Sequence, residues 1–154
     1  MTESTIVLSS PPLDATGNRQ IRLEEQIGKP LVVYFYPRDN TPGCTREGEA
    51  FRDHYDTFRS LGCEILGVSR DTLTSHEKFA AKHGFPFPLI ADPDEVLCRH
   101  FDVIREKNMY GRKVMGIERS TFLFDASGKL VGEWRKVRLP GHVEDVLEAV
   151  RSLR

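Results

Sequence analysis

The residue best placed to do chemistry in this chain of 154 residues is Cys44. It follows an apolar run, Leu31–Tyr36, and a polar segment, Arg38–Gly43, and a helical pattern begins near Thr41. The N-terminal end of a helix stabilises an anion through its unpaired N–H groups and its dipole. Because the thiolate is the nucleophilic form of cysteine, this position predicts a reactive thiol at the edge of a sheet. The alternative is a small buried hydrophobic residue, the usual state of a free cysteine.

Hydrophobic patterns predict the elements that position Cys44. Continuous apolar runs at Leu31–Tyr36 and Glu64–Ser69 are typical of strands buried on both faces. Further strands are predicted at Gln20–Leu23, Pro88–Ala91, Ser120–Phe124 and Leu130–Trp134, and helices from Thr41 to Gly62, at Leu73–His83, from Asp92 to about Phe101, and along the stripe Val143, Val146, Leu147 and Val150. Arg105–Gly116 is basic and aperiodic and is predicted to be a loop.

Alternation of strands and helices early in the chain requires parallel pairing through crossover connections, and the late hairpin adds antiparallel strands. We therefore predict an α/β fold with a mixed central sheet and helices on both faces. The length of the chain indicates a single domain over residues 1–154.

Composition argues against several classes of protein. The formal net charge is −1, which argues against a general nucleic-acid binder. An odd number of cysteines, Cys44, Cys63 and Cys98, leaves at least one thiol free and favours a reducing compartment. Neither a signal peptide nor an apolar run long enough to cross a membrane is evident, so we expect a cytoplasmic protein without membrane contact.

The surroundings of Cys44 resemble a known family. The spacing Pro37-x-x-x-Thr41-x-x-Cys44 is similar to the active-site motif of the peroxiredoxins, and the stretch Tyr34–Thr45 resembles the bacterioferritin comigratory protein (peroxiredoxin Q) subfamily. Three further blocks agree in order and spacing: Leu66–Asp71, Ala91–Asp94 and Gly116–Leu123. The resemblance runs from about residue 10 to the C-terminus. It implies a thioredoxin-like fold and a thiol peroxidase acting on hydrogen peroxide and small organic hydroperoxides.

The resemblance also implies roles for individual residues. Cys44 is expected to be the peroxidatic cysteine, Thr41 and Pro37 to shape its pocket, and Arg119 to reach in from a later strand. A permanently charged guanidinium favours a thiolate and polarises a peroxide. The Thr41 hydroxyl could bond the thiolate or the peroxide, or cap the helix. The N–H groups of Cys44 and Gly43 would hold the peroxide as its O–O bond breaks. Glu47 could orient Arg119 or be a solvated helix residue, and no cofactor or metal is required.

The resolving cysteine of the subfamily is missing. Members carry it five residues after the peroxidatic cysteine or in the next helix, and this chain has Glu49 and Ala80 at the corresponding positions. We therefore favour a one-cysteine cycle in which glutathione, glutaredoxin or thioredoxin reduces the sulfenic acid of Cys44. The alternative is a two-cysteine cycle in which Cys98 is the resolving residue, within the chain or across a dimer, whereas Cys63 is expected to be a buried structural thiol.

Rival functions remain open at this point. A thioredoxin-type disulfide reductase needs Cys-x-x-Cys, and this chain has Thr41 where the first cysteine would stand. A non-enzymatic redox-sensing or binding role for Cys44 is the other alternative. The histidines on predicted helices, His54, His76, His83 and His142, are expected on helix surfaces or at caps. The resemblance implies a monomer or a weak dimer.

Overall fold

A computed structural model describes residues 6–153, and its centre is one seven-stranded mixed sheet. The strand order is β2-β1-β5-β4-β3-β8-β9. These strands are β1 Leu13–Ala15, β2 Arg19–Ile21, β3 Leu31–Phe35, β4 Glu64–Ser69, β5 Leu89–Ala91, β8 Ser120–Phe124 and β9 Leu130–Trp134. The strands β3, β4 and β5 are parallel, and the remaining pairs are antiparallel. This is the mixed sheet that the sequence predicts.

Helices cover both faces of the sheet. The elements are α1 Pro42–Ser60, α2 Leu73–His83, α3 Val96–His100, α4 His142–Arg151 and a 3-10 helix at Leu23–Gln26. Alternate residues of β3 point to opposite faces, so Val32 and Tyr34 pack with α1, α2 and α4, whereas Val33 and Phe35 pack with α3. The two hydrophobic cores therefore lie on opposite sides of the sheet.

Two predictions about local structure are wrong. The stretch predicted as a loop is a hairpin, β6 Ile104–Met109 and β7 Arg112–Ile117, which pair in a separate two-stranded sheet. Its turn, Tyr110-Gly111, has positive φ at both residues (54° and 79°), as a tight two-residue hairpin turn requires. The helix predicted from Asp92 is shorter, because Glu95 has φ of 61° and α3 begins only at Val96.

No helix within residues 6–153 has the length and hydropathy of a membrane-spanning segment.

Candidate active site

The N-terminus of α1 is reached from β3 through the loop Pro37–Thr41. Thr41 occupies the N-cap position, but its side chain does not cap the helix, and Oγ1 instead donates to the C=O of Arg38 at 2.9 Å. The predicted N-cap position of Thr41 is confirmed, whereas the expectation that its hydroxyl caps the helix is wrong. The first intrahelical hydrogen bond runs from the N–H of Thr45 to the C=O of Thr41 at 2.9 Å. The N–H groups of Gly43 and Cys44 precede it and receive no side-chain cap, so they are available to an anion.

Cys44 lies in this first turn beside the guanidinium of Arg119. The Nη2 atom of Arg119 is 3.5 Å from Sγ of Cys44. Arg119 stands in the short connection between β7 and β8 rather than within the predicted strand. Its C=O accepts a hydrogen bond from the N–H of Val137 at 3.1 Å, which holds the backbone of the connection. The helix end and a permanent cation thus act on the same sulfur atom, and both favour its thiolate form.

Glu47, one turn after Cys44, holds the other arm of the guanidinium. Its side chain is fully buried, and its Oε1 accepts from Nη1 of Arg119 at 2.5 Å. Burial raises the pKa of Glu47 to about 7, although the charge and the hydrogen bond of Arg119 act to lower it. Burial would lower the pKa of Arg119, but the charges of Glu47 and Cys44 raise it overall. Arg119 therefore stays cationic while it bridges the carboxyl group and the sulfur atom.

The residues around Cys44 almost enclose it. Cys44 is only 2% exposed. A Cβ atom at residue 43 would lie 3.2 Å from Nη2 of Arg119 and 3.8 Å from Cδ1 of Leu139, so Gly43 permits the guanidinium to approach the helix end. Pro37 is half-buried at the start of the loop and has no N–H. The first turn of α1 and the guanidinium of Arg119 thus leave little of Cys44 exposed.

A second cation near the sulfur was missed in the sequence. Lys107 is on β6 of the unpredicted hairpin, and its Nζ donates to the C=O of Ile117, two residues before Arg119. Its pKa is lowered by partial burial and by repulsion from Arg119, while the nearby charge of Cys44 acts to raise it. The sequence feature that could have indicated this position is the dipeptide Tyr110-Gly111, because a hairpin turn there brings Lys107 back toward the segment before Arg119.

The other two cysteines are also buried. Cys63 packs in the same core as Cys44, and burial raises the pKa of its thiol to about 12. Cys98 belongs to the core on the opposite face of the sheet and is 0% exposed. Burial and the adjacent Asp92 raise the pKa of the Cys98 thiol, and Asp92 also accepts the N–H of Cys98 at 2.8 Å. The central sheet therefore separates Cys44 from Cys98.

Among the described residues, one group could offer three metal ligands: Asp39, Asp71 and His76, whose ligand atoms lie within 4.8 Å of one another. Both ring nitrogens of His76 are already in hydrogen-bonding contact, Nδ1 with Asp39 at 2.8 Å and Nε2 with the C=O of Ile90 at 2.9 Å. The contact of Nε2 with a carbonyl is also found in metal-ligating histidines, so a metal ion at this cluster would have to displace the hydrogen bond between Nδ1 and Asp39.

Comparison with known proteins gives one consistent family. The model of the AhpC/TSA family matches residues 9–132. A protein named Peroxiredoxin Bcp from Xanthomonas campestris pv. campestris is 54% identical over 141 residues, covering 92% of this chain and 88% of the relative. A second Peroxiredoxin Bcp, from Bacillus subtilis, is 43% identical over 146 residues, covering 94% of this chain and 93% of the relative.

Comparison with solved structures gives the same family. Peroxiredoxin Q from Xanthomonas campestris superposes with a TM-score of 0.89 at 52% identity, covering 94% of this chain and 92% of that one. A structure of the bacterioferritin comigratory protein from the same species, described in connection with its alkyl peroxide reduction activity, also gives a TM-score of 0.89, at 49% identity, covering 97% of this chain and 98% of that one. These neighbours confirm the predicted thioredoxin-like fold and the predicted subfamily.

Proposed function

This chain belongs to the AhpC/TSA family of peroxiredoxins and is a thiol-dependent peroxidase, and from that premise we propose that Cys44 is its peroxidatic cysteine, working in a one-cysteine cycle. The observation that carries the proposal is the 3.5 Å contact between Nη2 of Arg119 and Sγ of Cys44 at an uncapped helix N-terminus. Both features favour a thiolate in a site that is otherwise buried.

In the proposed first step the thiolate of Cys44 attacks one oxygen of a hydroperoxide. An S–O bond forms, the O–O bond breaks, and the leaving oxygen departs as water or an alcohol after taking up a proton. Arg119 and the N–H groups of Gly43 and Cys44 stabilise the negative charge that develops on the peroxide oxygens. The Thr41 oxygen accepts the O–H of the substrate, and Pro37 shields the sulfur from water. The substrates are hydrogen peroxide and small organic hydroperoxides; alkyl peroxide reduction by the similar Xanthomonas protein supports the second class.

The second step regenerates the thiolate with external thiols. A first thiol attacks the sulfenic sulfur of Cys44, water leaves, and a mixed disulfide forms. A second thiolate attacks the sulfur of the bound thiol, which releases a disulfide and the Cys44 thiolate. The reductant is glutathione, glutaredoxin or thioredoxin. Glu49 and Ala80 at the usual resolving positions, and the location of Cys98 across the sheet, support an external reductant over an internal one.

We extend the proposal to the whole protein. Residues 1–154 form a single domain, which the single central sheet of the described residues supports. The enzyme acts as a monomer or a weak dimer, as the resemblance implies, and Cys44, Arg119 and Glu47 can form their contacts within one chain. It works in the cytoplasm, where three unpaired cysteines stay reduced.

The test is hydroperoxide consumption by the wild type, with glutathione, glutaredoxin and thioredoxin each supplied as the reductant with its recycling system. We expect turnover with at least one of them, no turnover for Cys44→Ser, and retained turnover for Cys63→Ser as the matched control. Full activity of Cys44→Ser would contradict the assignment. Wild-type consumption of a single equivalent without turnover would instead favour the redox-sensing alternative.

A further inference from the structure

A second buried polar cluster lies in the loop that carries Pro37 and Thr41. Asp39, in the middle of this loop, is 6% exposed. Its Oδ1 accepts the hydroxyl of Tyr36 at 2.7 Å, and its Oδ2 accepts the hydroxyl of Ser75 at 2.7 Å. The peroxidase reaction described above gives none of these contacts a role. They connect the active-site loop to the first turn of α2.

Both ring nitrogens of His76 are held by hydrogen bonds. The ring is 0% exposed, and Nε2 lies 2.9 Å from the C=O of Ile90, an oxygen that can only accept, so Nε2 carries a hydrogen. Nδ1 lies 2.8 Å from Oδ2 of Asp39, so one hydrogen lies between these two atoms. Burial raises the pKa of Tyr36 well above its ordinary value, so its hydroxyl remains a donor to Asp39. His76 and Asp39 therefore form a buried hydrogen-bonded pair.

The backbone of Asp39 is also held by a hydrogen bond. Its N–H donates to Oδ2 of Asp71 at 2.9 Å, and the same oxygen accepts the hydroxyl of Ser69 at 2.5 Å. Ser69 ends β4, and Asp71 directly precedes the N-cap of α2, Thr72. The acidic groups on this side of the His76 ring are thus Asp39 from the loop and, through the N–H of Asp39, Asp71 from the segment between β4 and α2. Since Thr41 does not cap α1, the loop is fixed mainly from outside, by α2 and β4.

We propose that Asp39 and His76 are positioning residues of the peroxidase: their hydrogen-bonded pair holds the loop Pro37–Thr41 in the conformation that presents Cys44 to a hydroperoxide. The inference rests on the proposed function of Cys44. Neither residue touches the sulfur or the substrate, and each acts through the positions of Pro37, Thr41 and the first turn of α1. Releasing the pair uncovers the sulfur. The peroxide step, which needs the closed pocket, becomes slower, whereas the attack of an external thiol on the sulfenic acid does not.

The experiment measures these two steps separately in the full chain. The central variant is Asp39→Asn, which keeps the shape of the side chain and replaces one carboxyl oxygen with an amide nitrogen. We expect the rate constant of Cys44 with hydrogen peroxide to fall about 10- to 100-fold, the range that misplacement of a reactive group produces. The rate at which the sulfenic acid reacts with added glutathione stays the same or rises, and amide hydrogen exchange over residues 38–45 becomes faster.

The matched control is Asp125→Asn. Asp125 is also a turn carboxylate with several hydrogen bonds, accepting from Ser127 and Lys129, but it lies in the β8–β9 turn. Both rates should be unchanged in this variant. His76→Gln should reproduce the split between the two steps, and the double variant Asp39→Asn/His76→Gln should be no slower with peroxide than the slower single variant, as expected for one interacting pair.

Ser75→Ala keeps the Asp39–His76 pair and removes one hydrogen bond to Asp39, so it provides the test should the Asp39 and His76 variants fail to fold. Its reaction with hydrogen peroxide should be roughly twofold to fivefold slower, whereas the reaction of its sulfenic acid with glutathione should not be slower. A folded variant with the wild-type peroxide rate, or an equal loss in both steps, overturns the inference. A wild type whose Cys44 does not react with peroxide overturns the proposed function instead, so the two failures are distinguishable.

Discussion

At the residue scale, reactivity depends on how Arg119 is held. One nitrogen of its guanidinium contacts Cys44 and another contacts Glu47, so a planar side chain spans two groups on successive turns of α1. Lysine could not maintain both contacts in this geometry. The orientation of Arg119 therefore depends on a carboxyl group that is buried without a second hydrogen-bond partner for Oε2 among the described residues.

The stability of the fold should depend on the charge of Glu47. Burial raises its pKa from 4.5 to about 7 on folding, so the folded chain binds this proton more tightly than the unfolded chain does. The stabilisation is complete below the unfolded value and is lost as the pH rises through the folded value. Compared with Glu47→Gln, the wild type should lose about 3 kcal/mol of unfolding free energy across this window.

Urea unfolding of both proteins at pH 4.5 to 8 measures this loss. Glu49→Gln, two residues along the same helix at a partly exposed position, is the matched control and should follow the wild type. Parallel pH profiles for the wild type and Glu47→Gln would show that Glu47 does not titrate in this window.

Individual contacts were harder to predict than residue types. Cys44 and Arg119 could be identified from sequence, since a helix start and a motif are local patterns. The expectations for His76 and His142 as surface or capping residues are wrong, because both are buried, at 0% and 4% exposure. His142 lies 2.8 Å from Oγ1 of Thr121, and burial lowers its pKa to about 4. Their partners are distant in sequence, so no local pattern identifies them.

At the element scale, the β6–β7 hairpin positions the cation Lys107 near the site, which could not be predicted while this stretch was expected to be a loop. The stem of Lys107 lies over Gly116, where a Cβ atom would be 3.3 Å from Cδ of the lysine. The basic composition of this stretch obscured its alternation, because both of its strands are largely exposed and lack an apolar face.

Removing this cation should slow the peroxide step. For Lys107→Met we expect a loss of about fivefold in the rate constant with hydrogen peroxide, since one charge near the thiolate contributes on the order of 1 kcal/mol at a partly solvated site. Lys113→Met, an exposed position on the same hairpin, is the control and should leave the rate unchanged. Stopped-flow measurement at low salt compares them, and equal rates for Lys107→Met and the wild type would remove Lys107 from the site.

At the scale of the whole molecule, the sheet decides which cysteines can meet. The order and type of most elements were predictable, because buried strands and amphipathic helices have distinct hydrophobic periods. The face on which each helix packs was not predictable, so sequence left Cys98 open as a partner of Cys44. The structure assigns the two residues to different cores, with β3 and its neighbours between them. A disulfide needs Cα atoms within about 7 Å, so pairing them within one chain would require α1 or α3 to leave its face of the sheet.

The most direct measurement is the mass of the fully reduced protein after one equivalent of hydrogen peroxide, taken without reduction and with a sulfenic-acid trap. We predict a gain of one oxygen, trapped on the peptide that contains Cys44, and the same product in Cys98→Ala. A loss of two hydrogens, with Cys44 and Cys98 in one disulfide-linked peptide, would contradict the one-cysteine cycle. An unmodified Cys44 with peroxide remaining would contradict its assignment as the peroxidatic residue.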